Sequence, residues 1–428
     1  MLKYLRNRSD FIKNSFQLVA GTAIAQAISF LVSPLITRIF TPADFGTFTV
    51  IISIVGGFGL IATLRYEMAI VLPKEEKNAV NLVFMSLKIA FLICVGIASG
   101  IFAYNLWFLK SSLIDPAYKT WLYIIPFMVL LVAAGNVFQH WFNRQKEYKT
   151  LAFSKIINAA GNNIFTLWLG FIGMGVWGLL IGNFLGLLLF NLFFISMILR
   201  RYRSHYGHYD GSTHKPLALQ YRDLPLANTP QMLVELVQLY GIIFLLQGFY
   251  SAEIVGWYSL SQRLLQAPMW LIGTSLSQVF YKDASERYAV DRNITKMVLK
   301  TLKMATLVAL PVLLVMLTAG PWLVGFIFGE AWRESGEMAR ILAPWFFFEF
   351  IRYSVAQTSL IIGKTTPMFF ISVGGAALMV IALTVGATFF DSVKAGFIIL
   401  SVVLSCYSIT VIWWIINSVK KVVPYENN

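Results

Sequence analysis

Apolar stretches long enough to cross a bilayer recur from one end of this chain to the other. A membrane-spanning helix needs about 20 predominantly apolar residues. On that basis twelve spans are expected, near 14–40, 45–72, 78–106, 118–142, 150–172, 176–199, 224–250, 254–281, 298–328, 338–362, 366–389 and 395–418. With 58% hydrophobic residues, 13% charged residues and a mean hydropathy of +0.70, the chain carries more apolar surface than one soluble core can hide. The fold class is therefore all-α and polytopic. The fifth stretch carries Lys155, Asn158, Asn162 and Asn163, and the seventh Pro225, Asn228, Pro230 and Glu235. Such residues are tolerated in a span only where neighbouring helices or a wet cavity satisfy them.

The flanking charges orient the spans. If the N-terminus is inside and sides alternate, the outer face receives only Arg38, Lys110, Lys119, Arg333, Arg340 and Lys394, while the bulk of the 34 Lys and Arg face the cytoplasm. That bias places both termini inside. The net charge of +14 then reports loops facing anionic lipid rather than a nucleic-acid partner. Lys3, Arg6, Arg8 and Lys13 precede the first apolar run, but the run continues through Phe40, so an uncleaved first helix is expected. Cys94 and Cys406 both fall in apolar spans and read as core residues, not a disulfide.

The longest polar interruption, roughly Arg200–Asp223, divides the spans six and six. This gives an N-terminal six-helix bundle over 1–205, a cytoplasmic linker over 206–222 and a C-terminal bundle over 223–428. The two halves echo each other: Ala43-Asp44-Phe45-Gly46 opens the second span, and Ala252-Glu253-Ile254-Val255-Gly256 opens the eighth. Together with the six-plus-six count this supports a duplication with a cavity between the halves.

Motifs for nucleotide or metal chemistry fail on context. Gly173-Met174-Gly175-Val176-Trp177-Gly178 fits a dinucleotide pattern but links two membrane helices. Gly363-Lys364-Thr365 lacks the leading glycine of a P-loop, since Thr358 stands there. No HExxH or CxxC occurs. A metal site from His205, His208 and His214 is weighed against a solvated linker, and the linker is favoured. Most tryptophans, including Trp107, Trp121, Trp141, Trp332 and Trp413, read as an interfacial belt.

Four cations interrupt the apolar spans: Arg65, Lys88, Arg263 and Arg352. A charge at the bilayer centre costs at least a few kcal/mol unless it faces protein or a wet path. Lys88 is expected ~16 Å past Lys77, near the midplane. Arg263 has no acidic residue within a helical turn, whereas Arg352 follows Glu349 by three residues, so the two can pair. Arg65 and Glu67, nearer the inner face, either snorkel inward or pair structurally. Glu235 stands alone in the seventh span, where burial would raise its affinity for a proton. Glu235, Glu349 and Glu67 are therefore the coupling-ion candidates, for H⁺ or Na⁺. The guanidinium fork binds phosphate in bidentate fashion, so a cationic path suits a diphosphate better than a neutral sugar or a cationic drug.

Several segments carry a family likeness. Thr37-Arg38-Ile39-Phe40-Thr41-Pro42-Ala43-Asp44-Phe45-Gly46 resembles the first loop of Wzx-type polysaccharide flippases, members of the multidrug/oligosaccharidyl-lipid/polysaccharide exporter superfamily. Leu64–Pro73, Asn143–Tyr148, Gly256–Arg263 and Phe328–Trp332 resemble further motifs of that family in the same order, and the likeness spans the chain. The resemblance implies two pseudo-twofold six-helix bundles around a cationic central cavity in the bacterial inner membrane. It also implies translocation of undecaprenyl-diphosphate-linked sugar repeat units for O-antigen, capsule or exopolysaccharide, in company with a polysaccharide polymerase and chain-length machinery. By that resemblance Arg65, Arg263 and Arg352 are the expected diphosphate contacts, with Lys88 beside them. No cofactor or catalytic residue is required, because nothing covalent happens. The competing readings are an organic-cation exporter of the same superfamily, whose cavity should be acidic, and a polysaccharide polymerase or ligase, which should carry a large outer loop.

Overall fold

The computed structural model describes residues 2–107, 121–203, 207, 209–268, 272–390 and 392–421. Fifteen α-helices account for nearly all of them, and no strand occurs among the described residues. In chain order they are α1 (Leu2–Ile39), α2 (Pro42–Ile61), α3 (Glu76–Trp107), α4 (Ile125–Arg144), α5 (Tyr148–Phe171), α6 (Val176–Arg201) and α7 (His214–Gln220). They continue as α8 (Thr229–Phe249), α9 (Ala252–Pro268), α10 (Thr274–Asp291), α11 (Thr295–Phe328), α12 (Arg333–Ser354), α13 (Thr358–Ile361), α14 (Thr365–Phe389) and α15 (Val393–Lys420).

Among the described residues, nine helices are long and apolar enough to cross a membrane. The remaining expected spans form α5, α9 and α12, which are helical but carry more polar side chains. In α5 those side chains join helices. Lys155 Nζ donates to Thr22 Oγ1 at 2.9 Å, and Asn163 Nδ2 donates to Ser29 Oγ at 3.2 Å, both on α1. Polar residues serve this way in lipid, where burial of apolar surface between helices brings no gain over contact with lipid tails. Large apolar side chains such as Leu31, Phe102, Trp413 and Phe389 are at least 60% exposed, as a surface in hydrocarbon requires.

Two of the expected spans are not continuous helices, which corrects the sequence reading. The second ends at Ile61, where Leu64 and Arg65 turn left-handed (φ 50° and 64°) before a 3₁₀ segment, Tyr66–Val71. The tenth breaks after Ser354. There Ser354 Oγ donates to Ile351 O at 2.7 Å and Thr358 Oγ1 to Val355 O at 2.6 Å, side-chain bonds that compete with the helical ladder.

The chain divides into two compact units. The first holds residues 1–40 and 47–240, and the second 41–46 and 241–428. The first unit has two core clusters. One is built from Ile51, Val55, Cys94, Met128, Val129 and Leu180, and the other from Ile70, Leu82, Trp141, Phe142, Phe194 and Leu217. Leu217 belongs to α7, so the linker is folded onto this unit rather than solvated. Tyr66 Oη donates to Ala218 O at 3.1 Å, Lys77 pairs with Asp210 at 3.1 Å, and Tyr209 meets Phe84 edge-on at 4.8 Å.

The second unit packs Phe280, Val298, Phe350, Ile351, Val411 and Ile415 in one cluster. A smaller one holds Leu260, Leu264, Val324, Phe328 and Trp332, with Phe45 against it. Trp332 is only 1% exposed and Trp141 4%, so both are core residues and not part of an interfacial belt.

Candidate functional site

The motif segments come together at two places, and their residues do structural work there. Thr41 and Asp44 form a capping box at the start of α2. Thr41 N donates to Asp44 Oδ2 at 3.0 Å, and Asp44 N donates to Thr41 Oγ1 at 3.2 Å. Pro42 takes the first helical position, where no amide hydrogen is needed. One turn on, Gly46 lies against the Ala252 carbonyl, while Gly256 lies against the Pro42 carbonyl. The contact is reciprocal: each glycine meets the residue four positions before the other. A Cβ at either place would collide with backbone, so only glycine permits the crossing. Phe45 meets Trp332 edge-on at 5.0 Å, Trp257 Nε1 donates to Ala331 O at 3.0 Å, and Ser261 Oγ donates to Ser335 O at 2.6 Å. Three motifs thus form one corner of the second unit.

The other two motifs meet in the first unit. Arg144 Nη1 donates to Ile70 O at 3.2 Å, and Gln145 Nε2 donates to Glu76 Oε1 at 3.1 Å. Glu147 accepts from Thr150 at 2.6 Å and from Tyr202 Oη at 2.8 Å, and pairs with Arg201. Burial and the bond to Glu147 push the Tyr202 phenol up to about 12.

The cations fall into distinct settings. Arg65 sits at the break after α2, and its Nη1 lies 3.4 Å from Glu67 Oε1. Glu67 is 1% exposed and also accepts from Thr63. His140 on α4 stands within electrostatic reach of both, a neighbour the sequence did not reveal. Arg65 and Glu67 are therefore a local pair at a helix terminus. Lys88 is exposed on α3, and its charge is felt by His214 of the linker helix. Glu235 is exposed on α8, contrary to the expected burial, and accepts from Gln231 Nε2 at 3.2 Å.

The second unit holds Arg263 and Arg352. Arg263 is half-buried on α9. Arg352 lies in the last turn of α12, where the exposed carbonyls favour a cation. Its Nε donates to Glu349 Oε2 at 2.8 Å and its Nη2 to Glu349 Oε1. Ser408 Oγ on α15 donates to Glu349 Oε2 at 3.1 Å, and Tyr407 lies within electrostatic reach of the pair. Ser372 on α14 is hydrogen-bonded to Tyr407. Ser408, Tyr407 and Ser372 were not legible in sequence, because they are isolated hydroxyls on two apolar helices. Two of the four cations, Arg65 and Arg352, thus stand at a helix break, where free carbonyl dipoles offset buried positive charge. No group of three or more His, Cys, Asp or Glu side chains able to hold a metal occurs among the described residues.

The model of a family described as polysaccharide biosynthesis protein matches residues 35–337. No curated protein sequence matches significantly. Among solved structures, the lipid II flippase MurJ in its inward closed conformation matches with a TM-score of 0.73 at 14% identity, over 96% of this chain and 88% of that one. An inward-facing multidrug resistance MATE family transporter of the MOP superfamily matches with a TM-score of 0.67 at 14% identity, over 95% and 96%. A MOP superfamily transporter from Pyrococcus furiosus, described by the reverse polarity of its binding pocket, matches with a TM-score of 0.59 at 15% identity, over 96% of each chain. At these identities the likeness is one of fold.

Proposed function

The chain belongs to the polysaccharide biosynthesis protein family, and on that premise we propose that it is a flippase for undecaprenyl-diphosphate-linked oligosaccharide repeat units. It moves them from the cytoplasmic to the periplasmic leaflet of the bacterial inner membrane by alternating access, with both termini cytoplasmic. The observation that carries this reading is the sign and setting of the membrane charges within a transporter fold. Glu67 and Glu349 pair with Arg65 and Arg352, and the span cations Arg65, Lys88, Arg263 and Arg352 outnumber the span carboxylates Glu67, Glu235 and Glu349.

In this reading Arg263 and Arg352 contact the diphosphate, Lys88 adds positive potential, and Arg65 holds the end of α2. The prenyl tail stays in lipid. The driving force is electrical: each negative charge leaving a negative-inside cell releases about 2.3 kcal/mol per 100 mV. Two uncompensated phosphate charges supply roughly 4–5 kcal/mol. Glu235, Glu349 and Glu67 are the candidates for proton or Na⁺ coupling. A polymerase and chain-length machinery on the outer side would consume the product.

The test is surface polysaccharide in a flippase-null strain complemented with this gene. Arg263→Ala and Arg352→Ala should abolish surface glycan while protein level and membrane insertion stay normal. Wild-type glycan in both variants would sink the cationic-path reading. Drug hypersensitivity of the null strain with normal glycan would point to an organic-cation exporter.

A further inference from the structure

The Arg352–Glu349 pair poses a problem for any anion that uses Arg352. The Nε and Nη2 edge of the guanidinium, the one best shaped for bidentate binding, is already filled by Glu349. An incoming phosphate must either take that edge or settle beside a carboxylate of the same sign. In both cases Glu349 loses its stabilising cation or gains a repelling anion, in a setting where its side chain is only 21% exposed. A carboxylate so placed resolves the conflict by taking up a proton.

We propose that an anionic substrate replaces Glu349 as the partner of Arg352, and that Glu349 leaves the pairing as a neutral carboxylic acid. One proton from water joins the Glu349 carboxylate, giving COOH, for each anion bound, and it departs when the anion does. Ser408 makes the exchange feasible. Its hydroxyl now donates to Glu349 Oε2 at 3.1 Å, and because a hydroxyl can also accept, it can receive the new O–H without leaving an orphaned donor. Tyr407, backed by Ser372, is a titratable group within electrostatic reach of the pair. Arg352 stays charged throughout.

The consequence is a sign. A lone carboxylate that binds an organic cation gives up its proton as the cargo arrives, which yields exchange. An Arg–Glu pair that binds an anion gains a proton as the cargo arrives, so proton and substrate bind with positive coupling. Glu349 thus links the proton to the cargo in the same direction, and any exchange must be assigned elsewhere, Glu235 being the remaining candidate. This inference rests on the reading of Arg352 as an anion contact.

The experiment uses the full chain in lipid nanodiscs with farnesyl diphosphate as probe. Calorimetric titration in buffers of different ionisation enthalpy counts protons, and difference infrared spectroscopy reports a protonated carboxyl directly, independent of the probe's own titration. The wild type should take up about one more proton per bound probe than Glu349→Gln and show a new carboxylic-acid band. Glu349→Gln should bind the probe without the band, and Ser408→Ala should bind with a weakened or shifted band. Probe binding by the wild type with no band, or a band that survives Glu349→Gln, would overturn the exchange while leaving the functional reading intact. Failure of the wild type to bind the probe would overturn both.

Discussion

Arg65 and Glu67 show what a buried charge demands of its neighbours. Glu67 is 1% exposed, and its negative charge is held by Arg65 and the Thr63 hydroxyl. Arg65→Ala would leave that carboxylate without its cation, a loss of about 3 kcal/mol for a buried pair broken from one side. Glu67→Gln with Arg65 intact should cost less, since the Arg65 side chain is 19% exposed against 2% for Glu67. Thermal unfolding in detergent should therefore show a larger fall for Arg65→Ala than for Glu67→Gln, and equal falls would contradict the pairing. Arg65 was legible in sequence as an anomaly, but its pairing with Glu67 depends on the left-handed turn at Leu64 and Arg65, since residues two apart on a helix do not face each other. The contribution of His140 was not legible, because contacts between α4 and the end of α2 leave no periodic trace. Arg352 and Glu349 were readable as a pair, at i,i+3 spacing, while Ser408 reaches them from 59 residues away.

Helix boundaries were harder to read than helix existence. Hydropathy measures whether a segment prefers lipid, not whether its backbone stays helical, so the breaks after Ile61 and Ser354 were invisible to it. The motif around Thr41–Gly46 was legible as a likeness, but its physical content emerges only with the crossing of Gly46 and Gly256. Gly256→Ala should destabilise by about 1–3 kcal/mol or more, as overpacking does, and lower the melting temperature in detergent. Ala at Gly96, where no atom lies within contact of an added Cβ, should not. Equal effects at the two positions would remove the close approach as the reason for glycine. The linker gives a pH prediction. Burial of His214 and the nearby Lys88 hold its imidazole below its ordinary 6.5 in the docked state, against the pull of Asp210. The undocked linker therefore binds the proton first, and docking is complete above about 6.5 and weakens as pH falls through the docked value. Asp210, held down to about 2 by Ser212 and Lys77, stays ionised across that window. Hydrogen-exchange protection factors over 209–221, taken relative to the intrinsic rate at each pH, should fall between pH 7 and 5, and His214→Gln should flatten the change. Protection factors that ignore pH in the wild type would contradict the assignment.

At the scale of the whole molecule, the fold class followed from length and hydropathy, and the family from ordered motifs. The division into compact units lies within α8, after Tyr240, whereas the polar linker that marks the six-and-six split is docked onto the first unit. A polar composition reads as a loop when its partners lie on distant helices, as Leu217, Tyr209 and Asp210 show. The functional reading rests on net positive charge within the spans of a transporter fold, and its most direct test is translocation itself. Purified protein would be reconstituted in vesicles held at an inside-negative potential, with fluorescent undecaprenyl-diphosphate-linked oligosaccharide in the inner leaflet and a lectin outside. The wild-type chain should deliver the glycan to the lectin faster as the potential rises, and folded Arg263→Ala should not. Delivery that is absent in the wild type, or equal in the two proteins, would contradict a cation-lined path for a diphosphate-linked cargo.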